Sequence, residues 1–299
     1  MFKTPLPRTI FAALFLTAFL NAQCAKDNRE DKKGGIKITD FTISGTTTLT
    51  SDQLLRLTGD FIGNCYKDDN DEIEERLRAA FQDEGFFGVE VKKMDFKPGD
   101  PLAITKPVTV EAEIVDGPRY KLAEINFLGN HAFTAERLRR EFPMKKGDFF
   151  RRSVVASSFE SIRELYSTIG YLDMVMIPET LPSSAATMDL NLTLDEGPQY
   201  HMGTLEIVAA KEPAARLRSA WKLDEGSPYD KSYIETYLAA NRDLLPAGFV
   251  RQSVETAVNC PDEIVQVRMI VDPAEDTTHT QMKDVPCEEP KDKSKDDPK

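Results

Sequence analysis

Histidine is scarce: the 299 residues hold three, His131, His201 and His279. None belongs to an H-E-x-x-H pair, and neither a G-x-S-x-G elbow nor a Walker loop occurs, so no constellation of nucleophile, base and orienting group can be assembled. His131 and His201 read as loop residues rather than ligands. The four cysteines, Cys24, Cys65, Cys260 and Cys287, lack the C-x-x-C spacing of a zinc site. The acidic run Asp68-Asp69-Asn70-Asp71 lacks the glycine and closing glutamate of a calcium loop, and reads as the start of a helix whose dipole favours negative charge. The expectation is therefore no enzymatic activity, no metal and no cofactor. Positive charge is also short: 38 Lys+Arg stand against 50 Asp+Glu, net −12, which argues against a nucleic-acid partner. Long apolar runs are nearly absent. The one candidate, Ile10 to Leu20, spans 11 residues, well under the roughly 20 a membrane-crossing helix needs.

That run follows Lys3 and Arg8, and the pattern reads as an export signal over residues 1–22, cleaved after Ala22. Its removal takes the net charge from −12 to −14. Cys24 follows Asn21-Ala22-Gln23, which lacks the aliphatic residue at −3 and the Gly or Ala at −1 of a lipidation site, so a lipid anchor is not expected. In an oxidising compartment disulfides are the ordinary fate of such cysteines, although the sequence does not give their pairing. Cys260, in a hairpin turn, and Cys287, in the tail, are a sterically easy pair.

What is abundant is self-similarity. Asp116-Gly-Pro-Arg-Tyr120 and Glu196-Gly-Pro-Gln-Tyr200 stand 80 positions apart. A G-x-x-aromatic signature occurs at Gly63…Tyr66, Gly147…Phe150 and Gly226…Tyr229. Each is followed, after 19, 20 and 19 positions, by Gly85-Phe86, Gly170-Tyr171 and Gly248-Phe249. Such spacing means tandem modules. In the middle one, alternation over Leu122 to Phe127 predicts an opening strand and Thr134 a helix cap. A long helix over about Arg152 to Thr168 carries Val155, Phe159, Ile162 and Tyr166 on one face. A strand from Tyr171 to Ile177, a loop from Pro178 to Ala186, and a closing strand bearing Met188, Leu190, Leu192 and Leu194 complete the unit. Ser51 and Asp230 are the expected caps in the flanking copies. The fold class is α+β: three tandem β-α-α-β-β modules, each a three-stranded sheet with two helices on one face. The boundaries are 23–35 for a linker, 36–119, 120–199 and 200–272 for the modules, and 273–299 for a disordered charged tail.

The ordered motifs Phe127-Leu-Gly-Asn130, Gly147-Asp-Phe-Phe150, Gly170-Tyr171 and Glu196-Gly-Pro198, with Ile43-Ser-Gly45 and Asp116-Gly-Pro118 as counterparts, resemble the POTRA (polypeptide-transport-associated) family over about residues 36–272. The third copy departs from it, with Ala209-Ala210 where the glycine turn belongs and no Gly-Pro after Asp272. The resemblance implies a periplasmic location and a part in outer-membrane protein assembly or secretion. It implies as partners unfolded outer-membrane polypeptides or a separate β-barrel protein. The 27 residues after Asp272 are too few for a barrel, so a barrel-less array is expected. The resemblance also implies that the second strand of a module is the usable edge. Those strands are expected at about Phe86–Lys92, Tyr171–Ile177 and Phe249–Val254. Their candidate peptide-binding residues are Tyr171, Asp173, Met174, Val175, Phe249, Val250, Arg251 and Gln252. An extended polypeptide adds to such an edge through main-chain hydrogen bonds, while Glu90, Lys92 and Arg251 would discourage pairing. The alternative is an envelope interaction module or rigid spacer outside that pathway.

Overall fold

The computed structural model describes residues 36–66, 70–102, 106–277 and 281–287. The expected signal peptide and linker, Cys24, Asp68, Asp69, His279 and residues 288–299 lie outside them. Among the described residues no helix is long and apolar enough to cross a membrane. The chain divides into two compact units. The first runs to Glu124 and takes in Met144–Val155 and Thr180–Leu190; the second holds Ile125–Pro143, Ala156–Glu179 and the chain from Asn191 on. The border crosses the middle repeat.

The element order is β1 (Ile36–Thr46), α1 (Ser51–Gly59), β2 (Cys65–Tyr66), α2 (Asn70–Asp83), β3 (Glu90–Pro98) and β4 (Lys106–Val115). Then come β5 (Lys121–Leu128), α3 (Ala135–Arg139), α4 (Arg152–Ser167), β6 (Val175–Ser184) and β7 (Thr187–Asp195). The third repeat has β8 (His201–Val208), α5 (Lys211–Ala220), α6 (Tyr233–Ala240), β9 (Val254–Asn259) and β10 (Ile264–Ile270). Three sheets result, ordered β2-β1-β4-β3, β5-β7-β6 and β8-β10-β9. The closing strand is central, because it is the one whose alternate residues are all apolar. Val108, Val110, Ala112 and Ile114 in β4 are buried, as are Met188, Leu190, Leu192 and Leu194 in β7. In the first and third sheets it pairs parallel with the opening strand and antiparallel with the second strand, which stands at the edge.

In the first unit Ile73, Leu77 and Phe81 of α2, spaced four apart, press their buried stripe onto Ile38, Phe41, Val110 and Ile114. In the second unit Leu217 of α5 and Ile234 and Tyr237 of α6 cover Met202, Val265, Val267 and Met269. Fully burying a side chain of this size contributes about 2 kcal/mol.

Several expectations need correction. The first sheet has a fourth, two-residue strand, and its counterparts explain the G-x-x-aromatic signature. Gly63, Gly147 and Gly226 donate their N–H groups to the carbonyls of Ile38, Leu122 and Met202, and single bridges join Lys121 to Phe149 and His201 to Pro228. The signature is thus a short pairing segment that lies along the opening strand before the long helix starts. Thr134 caps α3 as expected, accepting from Arg137 N at 3.2 Å. The cap of α1 is Thr50, not Ser51, because Gln53 closes a capping box with it. Asp230 lies upstream of the α6 cap, Ser232, whose N–H it accepts at 2.9 Å. The expected loop at Pro178 to Ala186 is mostly strand, since β6 runs on to Ser184; prolines are tolerated there because β6 is an edge. The tail is also not free throughout. Pro273–Glu275 forms a 3-10 turn capped by Asp272, and residues 281–287 lie against the third sheet.

Candidate functional site

The eight expected edge residues are mostly not on edges. Only Val175 is, as the first residue of β6. Tyr171 turns back under α4, its N–H bonded to Tyr166 O at 3.2 Å and its ring 5.9 Å from that of Tyr166. Asp173 is exposed and Met174 is buried at 4%. Phe249 and Val250 lie in the turn after Gly248, and Arg251 and Gln252 in the 3-10 helix before β9. Arg251 is engaged by Glu235 at 2.9 Å and by Val254 O at 2.8 Å. The physical reason is common to all three repeats. The aromatic after the glycine closes the preceding helix or turn, as when Phe86 N bonds Phe81 O at 3.0 Å, and the strand begins only after the chain has turned outward.

The edges formed by β3, β6 and β9 differ. On β3 a register shift lies between Val91 and Lys93, and ion pairs Lys92–Glu90 and Lys97–Glu111 line the strand. A bulge and charges are standard protections of an edge. On β9 the edge meets residues 281–287: Val285 donates to Val258 O at 2.8 Å and accepts from Cys260 N at 3.0 Å. Cys260 and Cys287 form a disulfide pair with Cα atoms 4.9 Å apart. Strand β6 ends its sheet and presents Val175 (52% exposed) and Ile177 (61%) to solvent. It carries one charged residue, Glu179, and two prolines, Pro178 and Pro182. A proline in a ladder turns its nitrogen away from the bonded neighbour. On a period of two, Pro178 and Pro182 are expected to share the outward side with Met176, Thr180 and Ser184.

A second arrangement is repeated, at the D/E-G-P-x-Y motifs. The carboxylate grips the turn after the opening strand: Asp116 Oδ2 accepts from Thr48 N at 2.6 Å, and Glu196 Oε1 from His131 N, Ala132 N and Tyr166 Oη at 2.7, 2.9 and 2.7 Å. The fourth residue caps the last turn of the long helix, Arg119 Nε on Glu84 O at 2.6 Å and Gln199 Nε2 on Ile169 O at 2.8 Å. Arg119 also lies 3.6 Å over the Phe149 ring and pairs with Glu84 at 2.8 Å. The tyrosine N–H then bonds the helix-terminal glycine, Tyr120 to Gly85 O at 2.9 Å and Tyr200 to Gly170 O at 2.8 Å. Tyr200 Oη donates to Asp173 at 2.6 Å; burial, reinforced by that carboxylate, pushes its pKa up to about 12. Burial, with Glu196, raises Tyr166 still further. This geometry clamps backbone to backbone. Among the described residues no group of three or more His, Cys, Asp or Glu is placed to hold a metal ion.

The family POTRA, described as "Surface antigen variable number repeat", matches residues 120–197. The middle repeat is a POTRA domain. The structure of Haemophilus influenzae BamA POTRA3-5 matches 80% of this chain and 98% of that chain, with a TM-score of 0.54 at 19% identity. That likeness concerns the fold, and the fold is that of POTRA domains in tandem. The outer membrane protein assembly factor BamA of Neisseria meningitidis serogroup B is 20% identical over 182 residues, 56% of this chain. Those residues span 23% of that protein, so the chain corresponds to a minor part of its relative's length.

Proposed function

We propose that this POTRA array is a non-enzymatic periplasmic scaffold in outer-membrane protein assembly or secretion, and that it takes extended outer-membrane polypeptides by strand addition at β6. The BamA likeness supports the pathway and compartment. The observation that carries the binding site is the apolar, sparsely charged edge of β6, with Val175 and Ile177 more than half exposed. Main-chain pairing supplies affinity with little demand on client sequence, and the exposed Val175 and Ile177 add apolar contact on alternate positions. Three modules, bounded near Tyr120 and Tyr200, are part of this proposal.

Proline placed at an outward donor tests it. Thr180→Pro and Met176→Pro each delete one outward N–H without opening a cavity, and each is expected to weaken a labelled barrel-strand peptide about five- to tenfold. Thr180→Ala should bind as the parent does. Met174→Pro is unsuited, because Met174 is buried and precedes the strand. The spacer reading has its own support in Pro178 and Pro182, which already remove two outward donors. If both proline variants bind as well as the parent, or the parent binds no such peptide, strand addition at β6 is wrong and the spacer reading stands.

A further inference from the structure

Beyond Ile270 the chain turns back over its own sheet. The Asp276 carboxylate meets the guanidinium of Arg268, a β10 residue, at 2.7 Å, and Glu206 of β8 meets the same group at 3.1 Å. Farther on, Met282 N donates to Glu255 Oε2 at 3.3 Å, and Asp284 Oδ1 accepts from Val258 N at 2.8 Å. Val285 then pairs parallel with Asn259, exchanging bonds with Val258 O and Cys260 N, and Cys287 is joined to Cys260. Both ends of the segment are thus fastened, the far end covalently. It holds the β9 edge by backbone bonds rather than by core burial, for Val285 itself is 46% exposed. Since Val285 turns its N–H and C=O to β9, Pro286 turns outward, where it offers no donor to a further strand.

We propose that residues 281–287 are an internal strand that occupies the β9 edge in cis and withholds the third sheet from strand addition. This rests on the strand-addition reading above and assigns client binding to β6. A tethered competitor acts at an effective concentration in the millimolar range, so an external peptide must be tight to displace it. Amide hydrogen exchange on the disulfide-intact exported chain reads the occupancy at Val258 and Cys260, whose N–H groups face the segment. A variant truncated after Asp276 keeps the Arg268 pair and is expected to exchange those two amides at least about tenfold faster. It should also bind in trans a synthetic peptide of residues 281–287 carrying Cys287→Ser, with the full chain binding it at least about tenfold more weakly. Equal exchange at Cys260 in both chains, or equal peptide binding by both, overturns the proposal. Should the truncated chain not fold, Val285→Pro in the full chain deletes the central bond; unchanged exchange at Cys260 then overturns it, and faster exchange supports it. Failure of the barrel-strand peptide at β6 leaves these β9 readouts untouched, so the two readings fail separately.

Discussion

At Gly170 the backbone has φ +91°, and a Cβ would stand 2.3 Å from Tyr200 O, the carbonyl that accepts from Tyr229 N at 2.9 Å. Gly147 has a similar φ, +89°, but open space around it. The pair separates conformational strain from collision. Gly147→Ala is expected to cost about 1 kcal/mol, and Gly170→Ala about 3 kcal/mol, because backbone would have to move as well; urea midpoints of the two variants decide it. Tyr200 offers a pH test. Burial and Asp173 raise its pKa to about 12 from 10, so above pH 10 the unfolded chain releases a proton the folded chain keeps. The unfolded state then binds fewer protons, and stability falls as pH rises from about 10 to about 12. Tyr237, raised by burial to about 12, acts in the same window. Tyr200→Phe should lose about 1.5 kcal/mol at neutral pH, the worth of a hydrogen bond to a charged acceptor, and should show a shallower alkaline decline. A decline as steep as the parent's would refute the assignment.

Among the elements, helices were the most legible. The stripe Val155, Ile162, Tyr166 was readable because α4 is long and its period of 3.6 repeats four times. Strand β6 is poorly legible because its residues alternate weakly and two prolines suggest loop; only its place at the sheet edge makes them tolerable. Its orientation can be checked without any ligand. On the strand period of two Ile177 is expected to turn its N–H toward β7, so Ile177→Pro should cost about 3 kcal/mol, whereas Thr180→Pro, expected on the outward side, should change stability by less than about 1 kcal/mol. Equal losses in thermal unfolding would mean that the outward set is wrong. The charges on the β3 edge are legible in the sequence as Glu90 and Lys92, whereas the segment against β9 is not. Its only sequence trace is Cys287 beside Asp284-Val285-Pro286, too short a pattern to distinguish from a tail.

For the whole molecule, the single tryptophan is a local reporter. Trp221 packs in the third core, its ring 4.9 Å from those of both Tyr233 and Tyr237. Semi-independent modules predict that Trp221 fluorescence and far-UV circular dichroism give different urea transitions; coincident curves would mean a single cooperative unit. Reduction of Cys260–Cys287, which closes a 27-residue separation, should lower the Trp221 transition by about 3 kcal/mol and leave the remaining signal nearly unmoved. Trypsin offers a companion check. A cut after Lys283 should leave the piece from Asp284 attached until reductant is added, and its release without reductant would contradict the pairing.

The repeat, the helix faces and the order β-α-α-β-β are local quantities: spacings of glycine, aromatic and apolar residues that a linear pattern carries in full. The D/E-G-P-x-Y motif was visible as a repeat, yet its work, gripping one turn and one helix end together, depends on groups 30 to 68 positions away in the chain. Which strand stands at an edge, where it begins, and what lies against it depend on pairing between distant segments. A hydrogen-bonded ladder is made by backbone groups that every residue shares, so residue identity scarcely records it. For that reason the sequence determined three α+β repeats, and only the tertiary structure decided that β6 ends its sheet and that Val285 pairs along β9.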